Sequence, residues 1–198
     1  MKCLEEDGVI VNGTLYLVNV SCVVADAPAR AFVKGIKPHT AYHACERCQD
    51  DGNWNGRMCF SRTPGVLRSD QSFRIKVDSD HHVVDSPLLQ LRLGMVTNVV
   101  LDYMHLICLG VMRKLLHLWL SGPLKTRLSG REVKIISLEL VSLRNKVPDE
   151  FCRRPRTLKD VNRFKATELR QFLLYTGPCV LKTILPSTQF KHFLKFSL

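Results

Sequence analysis

Two thiols three residues apart, Cys45 and Cys48, followed by Cys59, are the residues whose type and spacing first point to chemistry. Two thiolates on a tight turn make half of a tetrahedral zinc site. Cys59 supplies a third ligand, and the fourth comes from a histidine such as His82 or His105, or from Asp102. Thiol redox is the competing chemistry, but a thioredoxin-type Cys-x-x-Cys opens a helix directly after a strand, whereas this pair lies among polar turn residues. The plainest alternative is two unrelated thiols. Three carboxylates form a second constellation: Asp26, Asp102 and Glu168 stand in apolar or helical surroundings, where an acid is costly unless it is paired or bound to a cation. Asp102 also suits the N-cap of a following helix, and Glu168 also suits a solvated helix position beside Lys165 or Arg170. Asp26 ends a largely apolar run before Ala27-Pro28, and helix capping is its alternative. His105, three residues after Asp102, shares a helix face with it, which suits a common metal or an Asp–His hydrogen bond; a core histidine is the plain alternative.

The charge balance adds a partner class. The chain has 198 residues with 29 Lys and Arg against 18 Asp and Glu, a net charge of +11. Clustered cations gain free energy by releasing counterions from phosphates, so a polyanion is the expected partner. Between Arg144 and Arg170 nine basic residues face four acids, and Arg153, Arg154, Arg156, Lys159, Arg163 and Lys165 are the expected nucleic-acid contacts. The alternatives are a solvated face without a partner and a fragment whose acidic part lies elsewhere. Phosphate-cradling glycine loops, the Gly-x-Ser-x-Gly elbow and the His-Glu-x-x-His motif do not occur. The longest apolar stretch, Leu101 to Leu120, carries Asp102, His105, Arg113, Lys114 and His117, so no membrane span is expected; no apolar run follows the N-terminus to act as a signal peptide.

The elements that must position these residues read as strands followed by helices, an α/β chain. Asn12-Gly13 between β-branched runs predicts a hairpin with a type I′ turn. Thr14 to Val24, apolar on both faces, predicts a long strand inside a sheet, after which Pro28 opens a short helix. Residues 38–87 are rich in turn formers and ligand types, an insert held by something other than a large core. A helix is expected over Leu101–Leu120, with Leu101, Met104, Ile107, Cys108, Val111, Leu115, Leu118 and Trp119 as its apolar stripe, stopped by Gly122-Pro123. Further helices are expected over 130–145, over 161–174 and after Pro178.

Asp26-Ala-Pro-Ala-Arg30, the Cys45-x-x-Cys48 after it, Leu101-Asp-Tyr-Met-His105 and Arg163-Phe-Lys-Ala-Thr-Glu168-Leu-Arg-Gln-Phe-Leu resemble, in order and spacing, strings of the transposases of CACTA (En/Spm) type DNA transposons and their animal relatives. The resemblance spans residues 20 to 185. It implies an RNase H-like core using an Asp-Asp-Glu/Asp triad with two divalent ions, Mg2+ or Mn2+, to cut and transfer DNA strands. It matches Asp26 to the family's second catalytic Asp, Cys45 and Cys48 to its Cys-x-x-Cys, Asp102 and His105 to its Asp-x-x-His, and Glu168 to the last acid. The family's first catalytic Asp lies on a strand upstream of all of these, while the early acids here, Glu5, Glu6 and Asp7, precede Gly8. The expectation is therefore a partial RNase H-like core (1–37), a Cys/His-rich zinc insert (38–99) and a mostly helical part with the basic segment (100–198). DNA is the expected partner and the nucleus the expected location; self-association is compatible with all of this. Two function classes follow: a transposase-derived domain with an incomplete triad and no remaining activity, or a zinc-stabilised module that binds nucleic acid or protein without catalysis.

Overall fold

The structure is a computed structural model that describes residues 1–60, 63 and 65–197. It mixes helix with sheet and divides into two compact units, Met1–Asp102 and Tyr103–Leu198. Among the described residues every strand lies in the first unit, and the longest helices lie in the second.

In the first unit a short helix, α1 (Lys2–Glu6), precedes the expected hairpin of β1 (Val9–Val11) and β2 (Thr14–Tyr16). The hairpin closes through Val11↔Thr14 over Asn12 (φ 50°) and Gly13 (φ 77°), the positive angles a type I′ turn demands. The long buried strand over 14–24 does not form. All six residues of β1 and β2 are exposed, and the chain leaves the ladder after Tyr16 to begin β3 at Val23–Ala25. A strand apolar on both faces is buried only where layers cover both sides. Here β2 pairs with β1, and β3 pairs in parallel with β6 (Val99–Leu101), register Val23↔Val99, Val24↔Val100 and Ala25↔Leu101.

Directly after β3 comes α2 (Ala27–Lys34). Asp26 caps it by accepting from Ala29 N–H at 2.9 Å, and Gly35 ends it in the left-handed conformation (φ 65°). A Cβ at Gly35 would also collide with the Val84 carbonyl. The segment that follows carries two short strands, β4 (Asn53–Trp54) and β5 (Met58–Cys59), and one helical turn, α3 (Asp70–Arg74). Its core is small: Ala31 and Ile36 pack with Phe73, Met95 and Val96. Arginine side chains tie other parts of it to distant backbone carbonyls. Arg74 donates to the carbonyls of Leu89, Leu91 and Leu93 (2.9, 3.1 and 2.8 Å), Arg68 to that of Cys45 (2.9 Å), and Arg47 to those of Val96 and Val99.

The second unit starts with a π-helical segment, Met104–Met112, that runs into α4 (Arg113–Ser121). The helix begins three residues later than its sequence suggests, because Leu101 is held in the ladder with Ala25. The buried stripe also differs: Cys108, Met112, Leu116 and Trp119 are buried while Met104 and Val111 are exposed. The wider turns of the π segment rotate the inward face away from the 3.6-residue expectation. Gly122 ends α4 as expected. Then α5 (Gly130–Ser142) opens on a reciprocal Ser129/Glu132 cap and buries Ile136 and Leu140. The expected helix over 161–174 is broken into a 3-10 turn (Leu158–Arg163), α6 (Ala166–Gln171), a π turn (Phe172–Thr176) and α7 (Gly177–Leu181). The break occurs because Phe164 and Lys165 are extended, and Glu168 restarts the helix by accepting from Lys165 N–H. Finally α8 (Ser187–Ser197) inserts Phe193 into the core beside Trp119 and Phe172.

Candidate functional site

Asp26 and Asp102 are brought into adjacent positions by the β3/β6 register. Each is the residue immediately after the last registered pair, Ala25↔Leu101, at the C-terminal ends of two parallel strands. Neighbouring strands lie about 4.8 Å apart, so two acids 76 positions apart in sequence share one end of the ladder. Both are half-buried. Asp26 Oδ1 serves the α2 cap, so the capping alternative is realised without removing the residue from the strand end. Asp102 sits at the junction between β6 and the helical segment, closing the first unit, while His105 belongs to the second. Oxygen donors of this kind suit a hard divalent ion, which Mg2+ satisfies with one or two carboxylates plus water and substrate phosphate.

Cys45 and Cys48 lie 3.0 Å apart, sulfur to sulfur, on a turn in which Cys48 N–H approaches Cys45 Sγ at 3.4 Å. Burial and the hydrogen bond with Cys45 push the Cys48 thiol up to about 11. Cys45 opens no helix, and a thiol raised this far is a poor nucleophile. Cys48 Sγ also meets Asp50 Oδ2 at 3.2 Å, while Cys59 Sγ approaches the Arg57 carbonyl at 3.6 Å. Among the described residues, no three His, Cys, Asp or Glu side chains are assembled to hold an ion. The Cys45–Cys48 pair is the close thiol pair on which the zinc expectation rests.

His81 is a feature the sequence reading passed over. It is fully buried; its Nδ1–H donates to the His43 carbonyl at 2.7 Å, and its Nε2 has no hydrogen-bond partner. Burial, with Arg68, His82 and Lys34 nearby, pushes its pKa down to about 4, and the half-buried His82 is lowered for the same reason. An unfolded histidine binds its proton near pH 6.5, so stability is full above that pH and falls as pH drops from 6.5 toward 4. Between pH 7.5 and 5 the first unit is expected to lose about 2 kcal/mol through His81. Urea midpoints at the two pH values check this, and in His81→Gln the difference should shrink; an equal difference in both proteins would overturn it.

Glu168 is buried at the start of α6. Its Oε1 accepts from Arg156 Nε at 2.7 Å, and its Oε2 accepts from Arg156 Nη2 at 3.2 Å and Lys165 N–H at 2.8 Å. It is thus neither solvated nor paired with the Lys165 or Arg170 side chains, its sequence-level alternatives. Arg156 also lies over the Phe164 ring, 5.3 Å from its centroid. Arg154 is likewise engaged, with the Val147 carbonyl and with Asp149. Of the six expected nucleic-acid contacts, Arg153, Lys159, Arg163 and Lys165 remain exposed. Charge is divided sharply between the units. The first holds 11 basic and 12 acidic residues, a net of −1; the second holds 18 and 6, a net of +12.

A buried ionic cluster is the other feature sequence reasoning missed. Arg30 and Lys34, one turn apart on α2, both pair with Glu46, at 2.9 and 3.0 Å. Their i, i+4 spacing was the available signal. Burial lowers the Lys34 pKa despite the partner; for Glu46 burial acts upward, but the Arg30 hydrogen bond and Lys34 outweigh it and hold the carboxyl below its usual range.

Comparison with protein-family models, with curated proteins and with solved structures gives no match to this chain. No helix among the described residues is long and apolar enough to cross a membrane.

Proposed function

We propose that this chain is a transposase-derived domain that binds DNA through its second unit and keeps, in its first, two strand-end carboxylates able to hold a divalent ion. The observation that carries the reading is the parallel β3/β6 register, which sets Asp26 beside Asp102. A bound Mg2+ or Mn2+ would supply Lewis-acid stabilisation of charge on a phosphodiester oxygen. The chain's own residues would orient that ion at the ladder end, while Arg153, Lys159, Arg163 and Lys165 hold the DNA backbone without reading sequence. In this reading the location is nuclear and Cys45 and Cys48 are two ligands of a structural zinc.

A second reading, a binding module without phosphodiester chemistry, is favoured by one observation. Glu168, the third acid of the resemblance, is saturated by Arg156 and the Lys165 N–H. An arginine fork occupies the lone pairs a metal would need, so strand transfer is not expected of the chain with that pair in place.

The test is anisotropy of a labelled 20-base-pair duplex combined with calorimetric titration of Mn2+. DNA affinity should fall with salt, and replacing the four exposed cations by Gln should lower the log–log salt slope by about 3 to 4. Mn2+ binding should persist in that variant and disappear in Asp26→Asn/Asp102→Asn, whose DNA affinity stays intact. An unchanged salt slope would overturn the DNA reading, and Mn2+ binding that survives the double Asn variant would remove the carboxylate pair.

A further inference from the structure

We infer that the second unit carries a docking groove for an amphipathic helix with acidic residues beside its apolar stripe. The groove runs between the Met104–Ser121 helical segment and α8. Two hollows of about 490 and 320 Å³ share Leu115, Leu118, His192 and Phe193, so they form one trough. Along the first wall the lining recurs at Leu106, Val111, Leu115 and Leu118, one position per helical turn over roughly 20 Å. Phe193 forms the floor, whereas Leu106 and Val111 stay 46% and 43% exposed. Apolar side chains left open at helical spacing beside a second helix make the trough into which a third helix lays its stripe.

Charge selects the occupant. Lys114, exposed, lines the larger hollow, and no described residue lining either hollow is acidic. The whole unit is +12. A second copy of this unit would bring like charge to the groove, and a DNA backbone would leave the apolar walls uncovered. An added strand has no edge to pair with, since both walls are helical and their amides are spent within the helices. A helix with Leu or Phe at i, i+3, i+4 and i+7, flanked by Glu or Asp, meets both requirements.

The full chain is titrated into a labelled 18-residue synthetic peptide with a leucine stripe and glutamate flanks. Two controls accompany it: a scrambled peptide of equal composition, and the same stripe flanked by lysine. The striped acidic peptide is expected to bind with a Kd on the order of 10 μM, and each control about tenfold or more weaker. Leu106→Asp/Val111→Asp in the protein should weaken the acidic peptide by a further factor of about ten. Both positions are exposed, so the thermal melt should not move. Equal binding of striped and scrambled peptides would reduce the effect to net charge and overturn the groove, as would no binding at all or undiminished binding to the double variant. Duplex DNA whose binding is lost in that variant would make the trough a nucleic-acid surface and overturn the helix assignment. None of these outcomes depends on metal binding at Asp26 and Asp102.

Discussion

Replacing Glu46 by Gln is expected to destabilise the first unit by about 3 to 5 kcal/mol, the cost of leaving buried charge without its counter-ion. Glu46 is the shared acceptor of Arg30 and Lys34, whose side chains are 7% and 1% exposed, so little water can reach them to replace it. Lys34 is further enclosed by Phe73, its Nζ 5.2 Å from the ring centroid. The reverse change is milder: Lys34→Met removes a desolvated charge and leaves Glu46 with Arg30, so a loss of about 1 kcal/mol or less is expected. Hydrogen exchange of the α2 amides under native conditions separates the two variants. Comparable loss of protection in both would show that Glu46 is not what neutralises the pair. Because Glu46 is held below its ordinary pKa, its contribution is complete above about pH 4.5 and fades only as pH falls through its lower folded value. It is therefore complete throughout the pH 7.5 to 5 interval over which His81 is tested.

For the second unit the largest effect is expected at Glu168. Glu168→Gln discards the double contact with Arg156 and weakens the acceptor at the start of α6, for a loss of about 2 to 4 kcal/mol. The lower end reflects Arg156, whose side chain is 31% exposed and can recover some water. Trp119 reports the change, because it is buried against Phe193 in this unit while Trp54, the only other tryptophan, is exposed in the first. A urea midpoint read from Trp119 fluorescence should fall, and Arg156→Lys should reproduce much of the fall, since an ammonium cannot make the paired contact. Full stability in Glu168→Gln would show that the Arg156–Glu168 pair is not what holds this part of the unit together.

How much of this was legible in the sequence differs from residue to residue. The Asn12-Gly13 turn, the Pro28 helix start and the Gly122 stop depend on backbone angles and hydrogen bonds among residues within four positions of one another, and local sequence determines such features. Asp26 and Asp102 were recognisable as misplaced acids, but nothing in either string says that the strands before them pair in parallel. That pairing crosses a turn-rich segment whose path is set by Arg47, Arg68 and Arg74 reaching distant carbonyls. Glu168 illustrates the limit most clearly. Its neighbours in sequence, Lys165 and Arg170, were the natural partners, yet the fold delivers Arg156 from 12 positions upstream. The stretch 14–24 failed for a related reason, because hydrophobicity on both faces states what a strand requires and not whether two covering layers exist. By itself the sequence determined the short-range turns and caps, the class of helix with sheet and the excess of positive charge. Only the tertiary structure decided which acids meet, which arginines are spent as internal struts and which remain on the surface, because a long-range ion pair or strand register is chosen by the packing of the whole chain and carries no local mark.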